Sequence, residues 1–289
     1  MDLAQAASIF KKSQNFKALG ICYNNIANIQ YKNGQYHEAA QNYNKAIVSV
    51  EKVMEDLTRL LDKRMEVPQK REEYKAELAY FEKVRAHRVY QYAMSRYKLL
   101  RYTPQNIKDK RINWQLVDYE LRQALERYNE IKVKVEDHSP KKQQLFIDLI
   151  IKITVCRAFA NLNNKKILTA EKILESTRWV LNFVEKGKIK MISEGREGAP
   201  MIPLEILKQK YLLHKGLLLV NLNKDQDAAR CFTHCLRTGA IYDVRIRKEC
   251  AEQLYQIMIK YGQESRSLGG MLDSFKHRNK DIVFLVNSN

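Results

Sequence analysis

Glycine and proline are scarce, 10 and 5 in 289 residues. A sheet-rich fold needs many tight turns, and those two residues supply most of them, so their scarcity argues against β structure. Cysteine is as scarce as proline and odd in number: Cys22, Cys156, Cys231, Cys235 and Cys250. A chain this long buries a core without staples, so these read as reduced, mostly buried thiols of an intracellular, cytoplasmic protein. No apolar run reaches the ~20 nearly uncharged residues of a bilayer span. The most apolar stretch, Leu145 to Leu162, carries Asp148, Lys152 and Arg157. The start, Met1-Asp2-Leu3-Ala4-Gln5-Ala6, shows neither the basic nor the apolar region of a secretory signal, so none is expected.

Acidic residues are also in deficit: 33 Asp and Glu face 51 Lys and Arg, a formal net charge of +18. A surplus of this size either draws acidic partners or is neutralised inside a larger assembly, and both readings stand. Catalytic signatures are missing as well. There is no Gly-rich phosphate loop, no Gly-x-Ser-x-Gly and no His-Glu-x-x-His. The carboxylates sit among Lys and Arg on helix faces, where solvent leaves their pKa ordinary. The expectation is a protein that is not an enzyme and takes no cofactor.

What the chain does contain is helical periodicity. From Tyr23 to Ala46 it reads YNNIANIQYKNGQYHEAAQNYNKA. Tyr23, Ile26 and Ala27 share one helix face, and Gly34 closes that helix because a C-terminal position with φ > 0 suits glycine best. Tyr36, Ala39, Tyr43 and Ala46 line the next helix at three- and four-residue spacing. The small residues allow close approach of two antiparallel helices, and the tyrosines fill the gaps.

This hairpin resembles the tetratricopeptide repeat, a family of helical hairpins stacked about every 34 residues. Tyr23, Ile26 and Ala27 match the bulky–apolar–small pattern of its first helix; Ala39, Tyr43 and Ala46 match the small–aromatic–small pattern of its second. Gln30 stands where an aromatic is usual, with Tyr31 one step later. Glu51 stands where proline usually ends the repeat, so the second helix is expected to run on through Val53, Leu57, Leu60 and Leu61 to Pro68.

The second-helix pattern also occurs upstream as Ala6, Phe10, Ser13. Downstream, Leu212, Gly216 and Leu219 match a first helix and Ala228, Phe232 and Cys235 a second. Looser versions lie at Val117, Leu121, Ala124 and at Ala170, Leu174, Thr177; Arg245 to Tyr261 suits a capping helix. The resemblance implies an all-α, right-handed helical-hairpin solenoid over 1–265, with insert loops at about 102–113 and 186–203. Residues 266–289 read as a linker and a short strand-like tail. The β-branched run Ile282–Val286 resembles the first strand of a von Willebrand factor A domain, a partner of such repeats in protist proteins. Asn287 and Asn289 stand at that family's metal-binding Asp and Ser positions, so no functional metal site is expected there. A plain tail strand packing on a neighbour is the alternative.

Candidate sites follow from exposure and chemistry. Asn24 and Asn28 lie one turn apart on a first helix, where the family lines its groove, and their amides suit an extended peptide backbone. Tyr31 and the arginines Arg85, Arg88 and Arg96 of a long helix from Gln69 to Arg101 complete the expected binding face. In that helix most tyrosines are read as packing and the basic residues as a binding face, although aromatic and basic residues together also suit nucleic acid. Cys231, His234 and Cys235, with His214 and Cys250, carry soft ligands, but Cys235 already fills a small-residue packing position, so no metal is expected. The functional expectation is a scaffold that binds a partner helix or extended segment within a multi-protein complex, cytoskeletal or ciliary assemblies included. The alternative is a basic array on nucleic acid or on acidic polymers such as tubulin tails.

Overall fold

Apolar side chains recurring every three or four residues wind the described residues into helices, and no strand occurs among them. The computed structural model describes residues 2–62, 68–107, 111–134, 140–185, 204–237 and 244–261. The 186–203 insert and the 266–289 linker and tail, with Ile282–Val286, Asn287 and Asn289, lie outside the described residues. The expected all-α class therefore holds for what is described. No described helix is long and apolar enough to cross a membrane.

The chain divides into two compact units, Met1–Asp137 and His138–Asn289. The first contains α1 (Leu3–Lys12), α2 (Phe16–Lys32), α3 (Tyr36–Asp62), α4 (Pro68–Tyr102), a 3-10 turn at Pro104–Asn106 and α5 (Trp114–Lys134), each helix packed on the next. With no proline at position 51, α3 continues to Asp62. Its later apolar residues Val50, Val53 and Leu57 bury against Phe81 of α4. Pro68 opens α4, where its missing N–H costs nothing, and the helix then runs about 50 Å at 1.5 Å per residue. Asn113 caps α5 by accepting from the Leu116 N–H at 2.9 Å. The second unit contains α6 (Pro140–Asn163), α7 (Ile167–Glu185), α8 (Leu204–Asn221), α9 (Asp225–Arg237) and α10 (Val244–Tyr261). There α8 packs on α6, α7 and α9, and α10 on α8 and α9.

Four of the interhelical turns are the same object. In each, one residue takes a left-handed backbone: Gln14 (φ 54°), Gly34 (79°), Lys165 (59°) and Asn223 (55°). The following N–H reaches back five residues, Asn15 to Phe10, Gln35 to Gln30, Lys166 to Asn161 and Lys224 to Leu219, at 2.9–3.0 Å. The left-handed residue itself donates to Lys11, Tyr31, Leu162 and Val220 respectively, which satisfies carbonyls that a helix end leaves open. Only Gly34 adopts this conformation free of a side-chain penalty. Lys165→Gly is accordingly expected to stabilise the second unit by about 1 kcal/mol, read as a raised urea midpoint. An unchanged or lowered midpoint would refute that reading of the turn.

The turns also set the register of the packing. Seven residues before each left-handed position stands a small residue: Ala7, Ala27, Ala158 and Gly216. Five residues after three of them stands another, Ala39, Ala170 and Ala228, followed by a large residue, Tyr43, Leu174 or Phe232, and then by Ala46, Thr177 or Cys235. All nine of these second-helix residues are buried. The small residue of the first helix gives the large residue of the second its space. At Gly216 this is tightest, since a Cβ there would lie 2.4 Å from Cε1 of Phe232. On α5, Val117, Leu121 and Ala124 repeat the spacing and are fully buried too.

Candidate partner-binding face

The two asparagines of α2 sit at a seam rather than in open solvent. The Tyr43 hydroxyl of α3 donates to Asn28 Oδ1 at 2.7 Å, and Gln91 Nε2 of α4 donates to the same oxygen at 3.1 Å. Tyr43 lies beneath Ala27 and Ala39, and burial pushes its phenol up to about 12, so it remains a proton donor. Both lone pairs of Asn28 Oδ1 are thus occupied from within the fold. Asn24 is half-buried, its Oδ1 enclosed without a hydrogen-bond partner. Tyr31 is half-buried as well, edge-on to Tyr36 at 5.6 Å, with the Lys98 ammonium 4.3 Å from its ring centroid.

The three arginines of α4 have three different environments. Arg88 is buried and donates through Nη1 to the Ala46 carbonyl at 2.8 Å, passing under Gly20, where a Cβ would come within 2.8 Å of that nitrogen. Burial lowers its pKa to about 10, which leaves it charged at neutral pH. The expectation that Arg88 belongs to a binding face is therefore corrected: it is an interior cation that binds backbone. Arg96 pairs with Glu120 of α5, both side chains nearly enclosed at 13% and 12% exposure, and its guanidinium lies over the Tyr92 ring at 5.0 Å. Burial outweighs the attraction of Arg96 and pushes the Glu120 carboxyl up to about 6. Arg85 keeps 27% of its side chain exposed, with Nε 3.1 Å from Glu51 Oε1. Of the aromatics on the same helix, Tyr97 is buried and Tyr92 half-buried, whereas Tyr80 stands exposed.

The open side of α2 is a different stripe, Ile21, Asn25 and Ile29, spaced at i, i+4 and i+8. Both isoleucines are more than half exposed. Sequence reasoning passed over them because it followed the Tyr23–Ala27 seam. The available signal was a β-branched pair eight residues apart, outside the packing register.

In the second unit the soft ligands are engaged in the packing. Cys235 Sγ donates to the Gln209 carbonyl at 3.4 Å, and the Cys250 thiol is pushed up by its hydrogen bond with Cys235 and then by burial. His214 is buried, its Nδ1 2.6 Å from the Lys210 carbonyl and its ring edge-on to Phe159. Among the described residues no group of three or more His, Cys, Asp or Glu side chains is arranged to hold a metal ion. At the other end of α9, buried Asp225 Oδ2 accepts from Lys260 Nζ at 2.7 Å and from the Tyr261 hydroxyl at 2.5 Å, which ties the end of α10 to the start of α9. Those two hydrogen bonds, from Lys260 first, hold the carboxyl below its ordinary range.

No protein-family model matches the chain, and no curated protein matches it.

Proposed function

We propose that the chain is a non-catalytic, tetratricopeptide-like scaffold that docks a helix or extended segment of a partner protein within a larger assembly. The observation that carries the reading is the repeated hairpin. Four turns share one backbone geometry with a small residue seven positions before it, and three of them continue in one small–large–small register. A chain that repeats a packing unit presents repeated faces, a common basis for recognising elongated partners. On the first unit the face best suited to a partner is the Ile21–Asn25–Ile29 stripe, apolar at its ends and able to hydrogen-bond at its centre. Asn28, in contrast, acts within the fold, holding α2, α3 and α4 together.

The test is affinity capture with the purified chain and with the double variant Ile21→Asp, Ile29→Asp. Specific proteins should fall about tenfold, which corresponds to ~1.4 kcal/mol of binding, while the variant keeps the parent melting temperature. Capture of the same proteins by both chains, or of none by the parent, would sink the proposal. A second reading, binding of nucleic acid or acidic polymers, draws on the net charge of +18. It predicts capture that disappears with nuclease treatment and falls steeply with salt.

A further inference from the structure

Five residues of α2 are exposed: Lys17, Ile21, Asn25, Ile29 and Lys32. They fall at i, i+4, i+8, i+12 and i+15, which is one helix face. A lysine therefore stands at each end of the isoleucine pair. Lys17 is held by Glu77 of α4 and lies 5.7 Å from the Phe81 ring centroid. Lys32 has no ion-pair, hydrogen-bond or ring partner among the described residues. Helix α4 runs alongside in the same direction. Glu77 meets Lys17, Gln91 Nε2 meets Asn28 Oδ1 at 3.1 Å, and Lys98 Nζ lies 4.3 Å from the Tyr31 ring centroid.

One sign of charge dominates these two helices. No Asp or Glu occurs in α2, nor anywhere from Leu3 to His37, and none occurs in α4 after Glu82. Over that part α4 carries Lys83, Arg85, Arg88, Arg96, Lys98 and Arg101. Glu51 and Glu120, from other helices, are taken by Arg85 and Arg96. Charges of one sign on adjacent helices add to a field that attracts anionic groups. The centre of the α2 face is nonetheless apolar, its two isoleucines ~12 Å apart along the axis at ~1.5 Å per residue.

We infer that this face takes an acidic amphipathic segment of a partner protein: two apolar side chains that reach Ile21 and Ile29, with Asp or Glu toward Lys32. The inference rests on the scaffold reading and adds the chemistry of the partner. The spacing fits apolar residues about eight apart in a helix, or about four apart in an extended chain at ~3.3 Å per residue. A second copy of this chain fits badly. Laid antiparallel about Asn25, two α2 helices match their isoleucines but set Lys17 against Lys32; laid parallel, they set Lys32 against Lys32. Like charges so placed oppose docking. A nucleic acid satisfies the lysines but sets its phosphates against two isoleucines, which strips them of water without replacing its hydrogen bonds.

The experiment selects, on the immobilised full chain, from a random library of displayed peptides as long as α2, 17 residues. Recovered sequences should be enriched in Asp and Glu beside paired apolar residues. The most enriched peptide is then titrated in solution. Lys32→Glu should weaken its binding about tenfold. Lys172→Glu, the same charge change on an exposed lysine of the second unit, should alter it less than about twofold. Glu77→Gln releases Lys17 and should tighten binding about threefold, a gain that no folding defect produces. Equal weakening by the two Lys→Glu variants would show diffuse charge and overturn the inference. An oligothymidine strand that binds more tightly than the peptide, with the same dependence on Lys32, would overturn it as well. Apolar peptides without Asp or Glu also overturn it while leaving the docking face standing. A library that yields no peptide overturns it too, and capture through Ile21 and Ile29 then decides the scaffold reading by itself.

Discussion

Phe232→Ala is expected to destabilise the second unit by about 3–5 kcal/mol. The ring is fully buried in the cluster formed by Leu213, Ala228, Cys235, Leu236, Ile246, Cys250 and Leu254. Losing it removes apolar burial and leaves a cavity beside Gly216. The informative partner is Gly216→Ala. In the parent its Cβ would meet three ring carbons of Phe232 at 2.4, 2.7 and 2.8 Å, an overpacking that costs about 1–3 kcal/mol. The better helix propensity of alanine returns up to ~1 kcal/mol. In the Phe232→Ala background the obstacle is gone, so the same substitution should stabilise. Urea titration followed by Trp179 fluorescence in a Trp114→Phe chain isolates the second unit. An equal cost of Gly216→Ala in both backgrounds would show that the two residues do not share their space.

Arg96→Met is expected to cost about 3–5 kcal/mol at pH 7.5, because it strands the Glu120 carboxylate in a nearly enclosed site. The pH dependence follows from Glu120. Its folded pKa, about 6, lies above the ordinary 4.5, so the folded state holds the proton more tightly. That contribution is fully present below pH 4.5 and is lost as pH rises through 6, a change of about 2 kcal/mol for a shift of this size. Arg96 is what holds the folded value down to 6, so its removal raises it further. The damage done by Arg96→Met should therefore shrink as the pH falls from 7.5 to 5, and Glu120→Gln should abolish that trend. Urea midpoints at the two pH values provide the measurement, and a pH-independent loss would contradict the assignment.

Much of the helical framework was legible because it rests on local physics. The run-on of α3 followed from the missing proline at position 51, and the extent of α4 from Pro68 and unbroken periodicity. The left-handed turn at Gly34 was legible because glycine marks such a position; the same turn at Gln14 and Lys165 was not, since nothing in those residue types announces it. For the same reason Ala7 and Ala158 passed unnoticed as the small residues of their hairpins. Small residues are common, and only their distance from a left-handed turn distinguishes them.

The candidate face divided along the same line. Periodicity placed Arg85, Arg88 and Arg96 on one long helix, where their types are alike. Only the packing of α2, α3 and α5 around α4 made one an interior donor to Ala46, one a partner of Glu120 and one a half-open neighbour of Glu51.

By itself, the amino-acid order determined that the described residues are helical, which residues are small enough for close packing, and that the net charge is strongly positive. Tertiary structure alone decided which polar groups are used up inside and which remain open. Helix formation depends on neighbours within a turn, whereas the burial of a charge depends on residues far away in the chain.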